Sequence, residues 1–413
     1  MLRLFLPLAA LFAGAAIYLA GHGLLTTLVP VRLTMLNASV EAVGLVGAGY
    51  YFGLMIGARW CPVFIRRVGH VRSFAGFAAV LAALSLALPL APDPWAWLAL
   101  RIATGVAIAA INLVIESWLT TAAPADWRGR VLATYMVVYY AAFGGGQFLL
   151  HAWPVEGFQL FSLGALLIAL AIVPVVLTRV EAPTLGEQAP MTLAALARLS
   201  PLAFATAIAT GLLLGAFYGL APVWLIDEGI EPAETGVYIA AAVFGGLALQ
   251  WPIGLLSDRV DRRIVIVGTA AAAGVLAAAI AVVGGDDPMV LAVLLAGLGG
   301  AMFTLWPVAV AHAADFLRGA GAMVGLSAGI LMVYSIAAVA GPIVAGFAQS
   351  ELGGGTLFWF MAGVALLLAA FGAWRSTRRP TPPAEERVPY VALPRTTPTV
   401  GELDPRADDP AAS

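Results

Sequence analysis

Uncharged apolar stretches of membrane-crossing length recur from Leu4 to Trp374, and no other feature constrains the fold of this chain so tightly. A bilayer core of about 30 Å takes roughly 20 apolar residues of helix. Read between charged or Pro/Gly-rich breaks, the sequence predicts spans near 4–31, 42–64, 73–91, 95–121, 130–152 and 158–178. A second set lies near 202–226, 235–256, 264–283, 289–313, 322–347 and 357–375. Charged residues make up 11% of the 413 and hydrophobic ones 62%, with a mean hydropathy of +0.95. A soluble domain carries about 25% charged residues because its surface faces water, so much of this surface must face lipid. The N-terminus opens like a secretory signal, Met1-Leu2-Arg3 before an apolar run, but the run continues to Leu33, too long for a signal core.

The placement of arginine orients the spans. All 21 basic residues are Arg. With the N-terminus inside, the cytoplasmic segments hold Arg66, Arg67, Arg72, Arg128, Arg130, Arg259, Arg262, Arg263 and the C-terminal cluster. The opposite loops hold acidic residues from Glu41 to Glu351, with only Arg32 near them. The positive-inside rule then puts both termini in the cytoplasm, which requires an even number of spans, and twelve fits. Residues 376–413, rich in Pro, Arg, Asp and Glu, read as a disordered cytoplasmic tail. Residues 181–200 read as a cytoplasmic linker, in which Thr192–Leu199 forms a short interfacial helix.

Several function classes fall away on composition. A net charge of -2 gives no electrostatic ground for a nucleic-acid partner. The lone Cys61 excludes an internal disulfide or a cysteine-built cluster, and His22, His70, His151 and His312 lack metal-ligand spacing. Without a single Lys, the chain has no Walker-type phosphate loop. No cofactor is expected.

Shifting the chain by 192 residues aligns its halves without gaps across the first two spans of each. Gly23, Leu28, Pro30, Val31, Leu33, Gly44, Ala48, Phe52 and Gly53 fall on Gly215, Leu220, Pro222, Val223, Leu225, Gly236, Ala240, Phe244 and Gly245. A shift of 195 sets Val138-Tyr139 and Gly146 on Val333-Tyr334 and Gly341. Parallel repeats of six helices predict a pseudo-two-fold axis along the membrane normal, with a solute path between halves 1–180 and 201–375.

The loop after the eighth span runs Gly254-Leu255-Leu256-Ser257-Asp258-Arg259-Val260-Asp261-Arg262-Arg263 and resembles the G-x-x-x-D-R-x-G-R-R signature of the major facilitator superfamily, with Asp261 for the second Gly. Its counterpart after the second span is degraded, keeping Pro62, Arg66, Arg67, Gly69 and Arg72. Arg101 to Gly105 resembles the R-x-x-x-G pattern of the family's fourth span. Leu28-Val29-Pro30, Glu116-Ser117, Val138-Tyr139-Tyr140, Gln250-Trp251-Pro252 and Phe303-Thr304-Leu305-Trp306-Pro307 are similar to a narrower group, the YcaD-like bacterial facilitators, over roughly residues 20–375. The resemblance implies an all-α fold of twelve transmembrane helices in two pseudo-symmetric six-helix bundles, and an inner-membrane location. It names no cargo. The Gly-Pro pair that proton-linked drug exporters carry in the fifth span is here Gly341-Pro342, in the eleventh, which counts against drug–proton antiport.

Ionisable residues inside a span cost about 2.5–3.5 kcal/mol on insertion scales and are functional candidates by default. The fourth span supplies Arg101, Asn112 and Glu116; Arg101 and Glu116 lie about 22 Å apart along a helix and cannot pair. Arg101 sits at the depth of His22 and is the candidate anion anchor or proton-coupling partner. Glu116 sits at the depth of Arg59, either as a titrating switch or paired with Arg59 or a loop arginine to hold a gate. Tyr139, Tyr218, Gln250 and Trp306 are candidate polar and aromatic contacts. Arg66, Arg67, Arg72, Gly254, Asp258, Arg259 and Arg263 are candidate gating residues, because a carboxylate beside Arg at a helix end can bridge two bundles in one state and release them in another.

These features predict a secondary transporter working by alternating access on a small solute, with protons as a candidate coupling ion, in the lipid bilayer and as a monomer. A non-coupled facilitator and a drug or metabolite exporter are the near alternatives. A channel is disfavoured by the duplicated halves with their gating loop. An intramembrane enzyme or lipid-handling scaffold would need a dense polar cluster, and the candidates are spread over separate helices and depths.

Overall fold

A computed structural model describes residues 2–123, 127–177, 191–317, 322–378, 387 and 390–397. The first half contains α1 (Leu2–Met35), α2 (Val40–Val68), α3 (His70–Ala87), α4 (Pro94–Ala122), α5 (Arg128–Gln147), α6 (Gln159–Leu170) and α7 (Ile172–Val176). A short helix α8 (Leu193–Leu199) precedes the second half: α9 (Pro201–Asp227), α10 (Thr235–Arg259), α11 (Arg262–Val283), α12 (Pro288–Ala314), α13 (Ala322–Leu352) and α14 (Thr356–Ser376). The predicted linker helix is α8, started by Thr192 accepting a hydrogen bond from the Ala195 N–H; most of the predicted linker, 181–190, lies outside the described residues.

Eleven helices among the described residues are long and apolar enough to cross a membrane, α6 and α7 together supplying one. The span expected at 130–152 is the exception. It forms the 20-residue helix α5, whose Arg128, Arg130, three tyrosines and run of Gly144–Gly146 dilute its hydropathy. It packs against α1 on one flank and α10 on another. With α5, the bundle has its twelve long elements.

The internal repeat is built into the helix crossings. Gly23 and Gly215 are so close to the carbonyls of Phe143 and Ala338 that a Cβ at either would fall 2.2 and 2.4 Å from the oxygen. Those two carbonyls are themselves related by the 195-residue shift. Conversely, Gly146 and Gly341 meet the carbonyls of Ala20 and Leu212, related by 192. Small residues at such crossings let backbones approach and replace the hydrophobic drive that lipid removes. Equivalent helices even start alike: Asp93 and Asp287 cap α4 and α12, each accepting from two N–H groups, and each is followed by Pro at the first helical position.

The halves meet through α2 with α13 and α5 with α10. Near the start of α2, Gly44 lies 2.4 Å, measured from its would-be Cβ, from the Pro342 carbonyl; near the start of α10, Gly236 lies 2.4 Å from the Gln147 carbonyl. These symmetric contacts close one end of the bundle. At the other end, beside Gly254 and Asp258, a segment of the tail stands between the halves. Composition predicts disorder after 376, yet within that stretch Leu393, Pro394 and Thr397 are buried, in a segment without helix or strand.

Candidate functional site

A small cavity lies between the halves. Of the residues singled out in the sequence, His22, Arg101, Asn112, Tyr139 and Tyr218 line it. Gln250 and Trp306 are buried nearby but are not in its wall; Trp306 packs on Tyr334, which is, with ring centroids 5.3 Å apart.

Arg101 and His22 share a depth, as the helical rise predicts, and Tyr50 joins them. Its hydroxyl lies 3.2 Å from His22 Nε2, and the Arg101 guanidinium carbon lies 4.6 Å from its ring centroid. Tyr50 is where it is because Gly105 of α4 packs against the Tyr50 carbonyl, 2.1 Å from a would-be Cβ, so α2 and α4 touch at backbone distance. Arg101 is 5% exposed, and its Nε has no hydrogen-bond partner among the described residues. Asn112 Oδ1 is likewise buried without one. A buried guanidinium held by an aromatic face rather than a carboxylate can accept an anionic group, and bidentate geometry suits a carboxylate.

Aromatic rings continue from this point across the midline. Tyr139 stacks on Phe143 at 6.2 Å, Phe143 meets Tyr218 edge-on at 5.8 Å, and Tyr218 meets Phe303 at 6.2 Å. One wall therefore comes from α5 and the other from Tyr218 and Gly219 of α9 with Tyr334 of α13, Phe303 of α12 packing behind. Thr27 donates to Gln147 Oε1 at 2.5 Å, tying α1 to α5 behind the wall.

Glu116 is fully buried, and its bonds differ from one of the two readings offered for it, the pairing with Arg59 or a loop arginine. It accepts from Tyr135 Oη at 3.4 Å and from the hydroxyls of Thr396 and Thr397 in the tail. Arg59 instead lies over the Trp60 ring, 5.6 Å from its centroid. Hydroxyl donors satisfy a buried carboxylate without a second buried charge.

The signature loop ties the second half together. Buried Arg262 reaches Asp258 at 3.1 Å, and also Asp315 and the Ala311 carbonyl, so α10, α11 and α12 converge on one guanidinium. Asp261 caps α11, and Arg263 Nε bonds it at 3.3 Å. Asp258 also accepts the Tyr390 N–H at 2.7 Å. Gly254 packs against the Tyr390 ring. Exposed Arg259 closes α10; Arg66 and Arg67 close α2, and Arg72 lies in the first turn of α3. Among the residues the sequence reading missed are Tyr50 and the tail's Arg395, Thr396 and Thr397; only the unusual Tyr50-Tyr51 pair in a span of small residues hinted at the first.

Among the described residues, no group of three or more His, Cys, Asp and Glu side chains is arranged to hold a metal ion. The sequence profile of the Major Facilitator Superfamily matches residues 11–331 and 204–399. The chain is 30% identical to an MFS-type transporter of Yersinia pestis over 94% of its own length and 98% of that protein's. It is also 30% identical to the MFS-type transporter YcaD of Escherichia fergusonii, over 87% and 94%. Among solved structures, it is similar in fold to the nucleoside transporter NupG, with TM-score 0.70 and 15% identity over 90% of this chain and 100% of that one. It is similar as well to a bacterial homologue of the human lysosomal transporter Spinster in an inward-facing, unoccupied conformation, with TM-score 0.68 and 13% identity over 94% and 98%.

Proposed function

Because the chain belongs to the Major Facilitator Superfamily of membrane transporters, we propose that it is a secondary transporter carrying a small solute with an anionic group through the cavity between its halves, one end opening as the other closes. The support is a single geometric contrast. Backbone-distance contacts close the end at Gly44 and Gly236, while a polar and aromatic cavity holding an unpaired Arg101 lies between the halves. The arginine distribution favours cytoplasmic termini, which makes the Asp258 end cytoplasmic and this conformation inward-open. Asp258, with Arg66, Arg67 and Arg72 across the midline, is the gating set at that end.

In this reading Arg101 anchors the anion, and Tyr139, Tyr218 and Asn112 contact the rest of the solute. His22 is the proton-coupling residue. Tyr50 sits 5.7 Å from the His22 ring and 4.6 Å from the Arg101 guanidinium. An anion seated on Arg101 cancels the cation that a protonated His22 would otherwise face, so solute and proton enter together. Reconstitution in liposomes tests this: saturable, trans-stimulated counterflow of organic anions accompanied by proton movement is expected. Conductance without saturation would instead mean a channel.

A further inference from the structure

The sequence assigns no role to the tail, yet its residues fill the open end of the cavity. Arg387 Nη1 donates to the Val260 carbonyl at 3.1 Å, and the Tyr390 N–H to Asp258 at 2.7 Å. Leu393 is 4% exposed. The Arg395 guanidinium lies 5.1 Å from the Phe303 ring centroid and donates to the Phe303 carbonyl at 3.4 Å, with the hydroxyls of Tyr140 and Tyr334 facing it. Next along the chain, Thr396 and Thr397 take one oxygen each of Glu116. Glu116 and Tyr140 belong to the first half; Phe303, Tyr334 and Asp258 belong to the second.

We propose that Tyr140, Phe303, Tyr334 and Glu116 form a second binding subsite, for a guanidinium flanked by hydroxyl groups, and that the chain's own Arg395-Thr396-Thr397 fills it as a tethered competitor. The chemistry is specific at both ends. An aromatic face with phenolic oxygens suits a delocalised cation that is weakly hydrated. A buried carboxylate needs donors for both oxygens, and among the described residues of the bundle itself Tyr135 alone supplies one. Because the subsite is assembled from both halves, its occupant props this end open, and the halves can close there only after the tail leaves. Tethering sustains such occupancy: covalent attachment makes the encounter intramolecular, so even a weak peptide site stays filled. The proposal rests on the cavity being the transport path, but its test does not require a transported solute to be known.

The test uses the full chain in detergent, with a fluorescent synthetic peptide of residues 386–399 as probe and anisotropy as readout. Wild type should give no saturable binding, since the site is filled in cis. The full-length triple variant Arg395→Ala, Thr396→Ala, Thr397→Ala should bind the peptide saturably, because its own tail no longer competes. A peptide carrying Arg395→Ala should bind that variant at least tenfold more weakly, and methylguanidine should displace the wild-type peptide. The substitutions lie outside every helix, so the fold is retained. Equal peptide binding by wild type and variant, or by neither, overturns the tethered competitor; equal binding of the two peptides overturns the guanidinium subsite. Peptide binding in a protein that shows no counterflow would sink the transport reading and leave the subsite and its tethered occupant standing, without their role in closing a transport path.

Discussion

Substituting Gly44 with Ala should shift the molecule from the conformation described here toward one open at the opposite end. The added Cβ would sit 2.4 Å from the Pro342 carbonyl oxygen, against 3.4 Å for the nearest ordinary van der Waals contact, so α2 and α13 must separate by about 1 Å. Overpacking of this kind costs about 1–3 kcal/mol, which becomes roughly a 5- to 150-fold change in the ratio of the two conformations. The pseudo-two-fold predicts the same effect for Gly236→Ala, which meets the Gln147 carbonyl at the same 2.4 Å. The assay is the labelling rate of a cysteine at Thr26, in the cavity wall, by a membrane-impermeant maleimide applied from the closed end, with Cys61→Ser removing the native thiol. Gly76→Ala serves as control, since nothing lies within 4 Å of a Cβ there. Faster labelling in both gate variants and an unchanged control are expected. If Gly44→Ala labels at the wild-type rate while remaining folded, these contacts are not the closure.

Arg101→Lys should impair counterflow despite normal membrane levels, because a point ammonium replaces a planar fork; full activity would remove its anchoring role. Tyr50→Phe deletes the 3.2 Å contact to His22, worth about 0.5–1.5 kcal/mol, and should raise the apparent solute KM roughly 2- to 12-fold. His22→Gln should flatten the pH dependence of counterflow without abolishing uniport, whereas an unaltered pH profile would place the coupled proton elsewhere. Asp315→Ala removes one of two carboxylates from Arg262, which is 1% exposed and keeps Asp258, and should cost about 1–3 kcal/mol, seen as a lowered thermal midpoint in detergent.

The membrane-crossing helices and the duplication were legible because both leave marks on local sequence. A span must be apolar along its whole length, and a backbone-distance crossing tolerates Gly alone, so Gly23, Gly44 and Gly146 survive at matching positions in the two halves. The shared depth of Arg101 and His22 follows from helical rise. Hydropathy undersold α5, because its arginines, tyrosines and glycines dilute a helix that still packs between α1 and α10. Tyr50 could not be assigned: which face of α2 turns to the cavity is set by where Gly105 lets α4 approach, a contact between helices rather than a period within one. The partners of Glu116 were further out of reach, since the Thr396 hydroxyl is 280 positions away in a stretch with no periodicity. Sequence by itself determined how many elements cross the membrane and how the two halves correspond, because burial in lipid and close packing act residue by residue. Only the tertiary structure decided which end is shut and what occupies the open one, because those depend on surfaces that exist once both halves have folded and met.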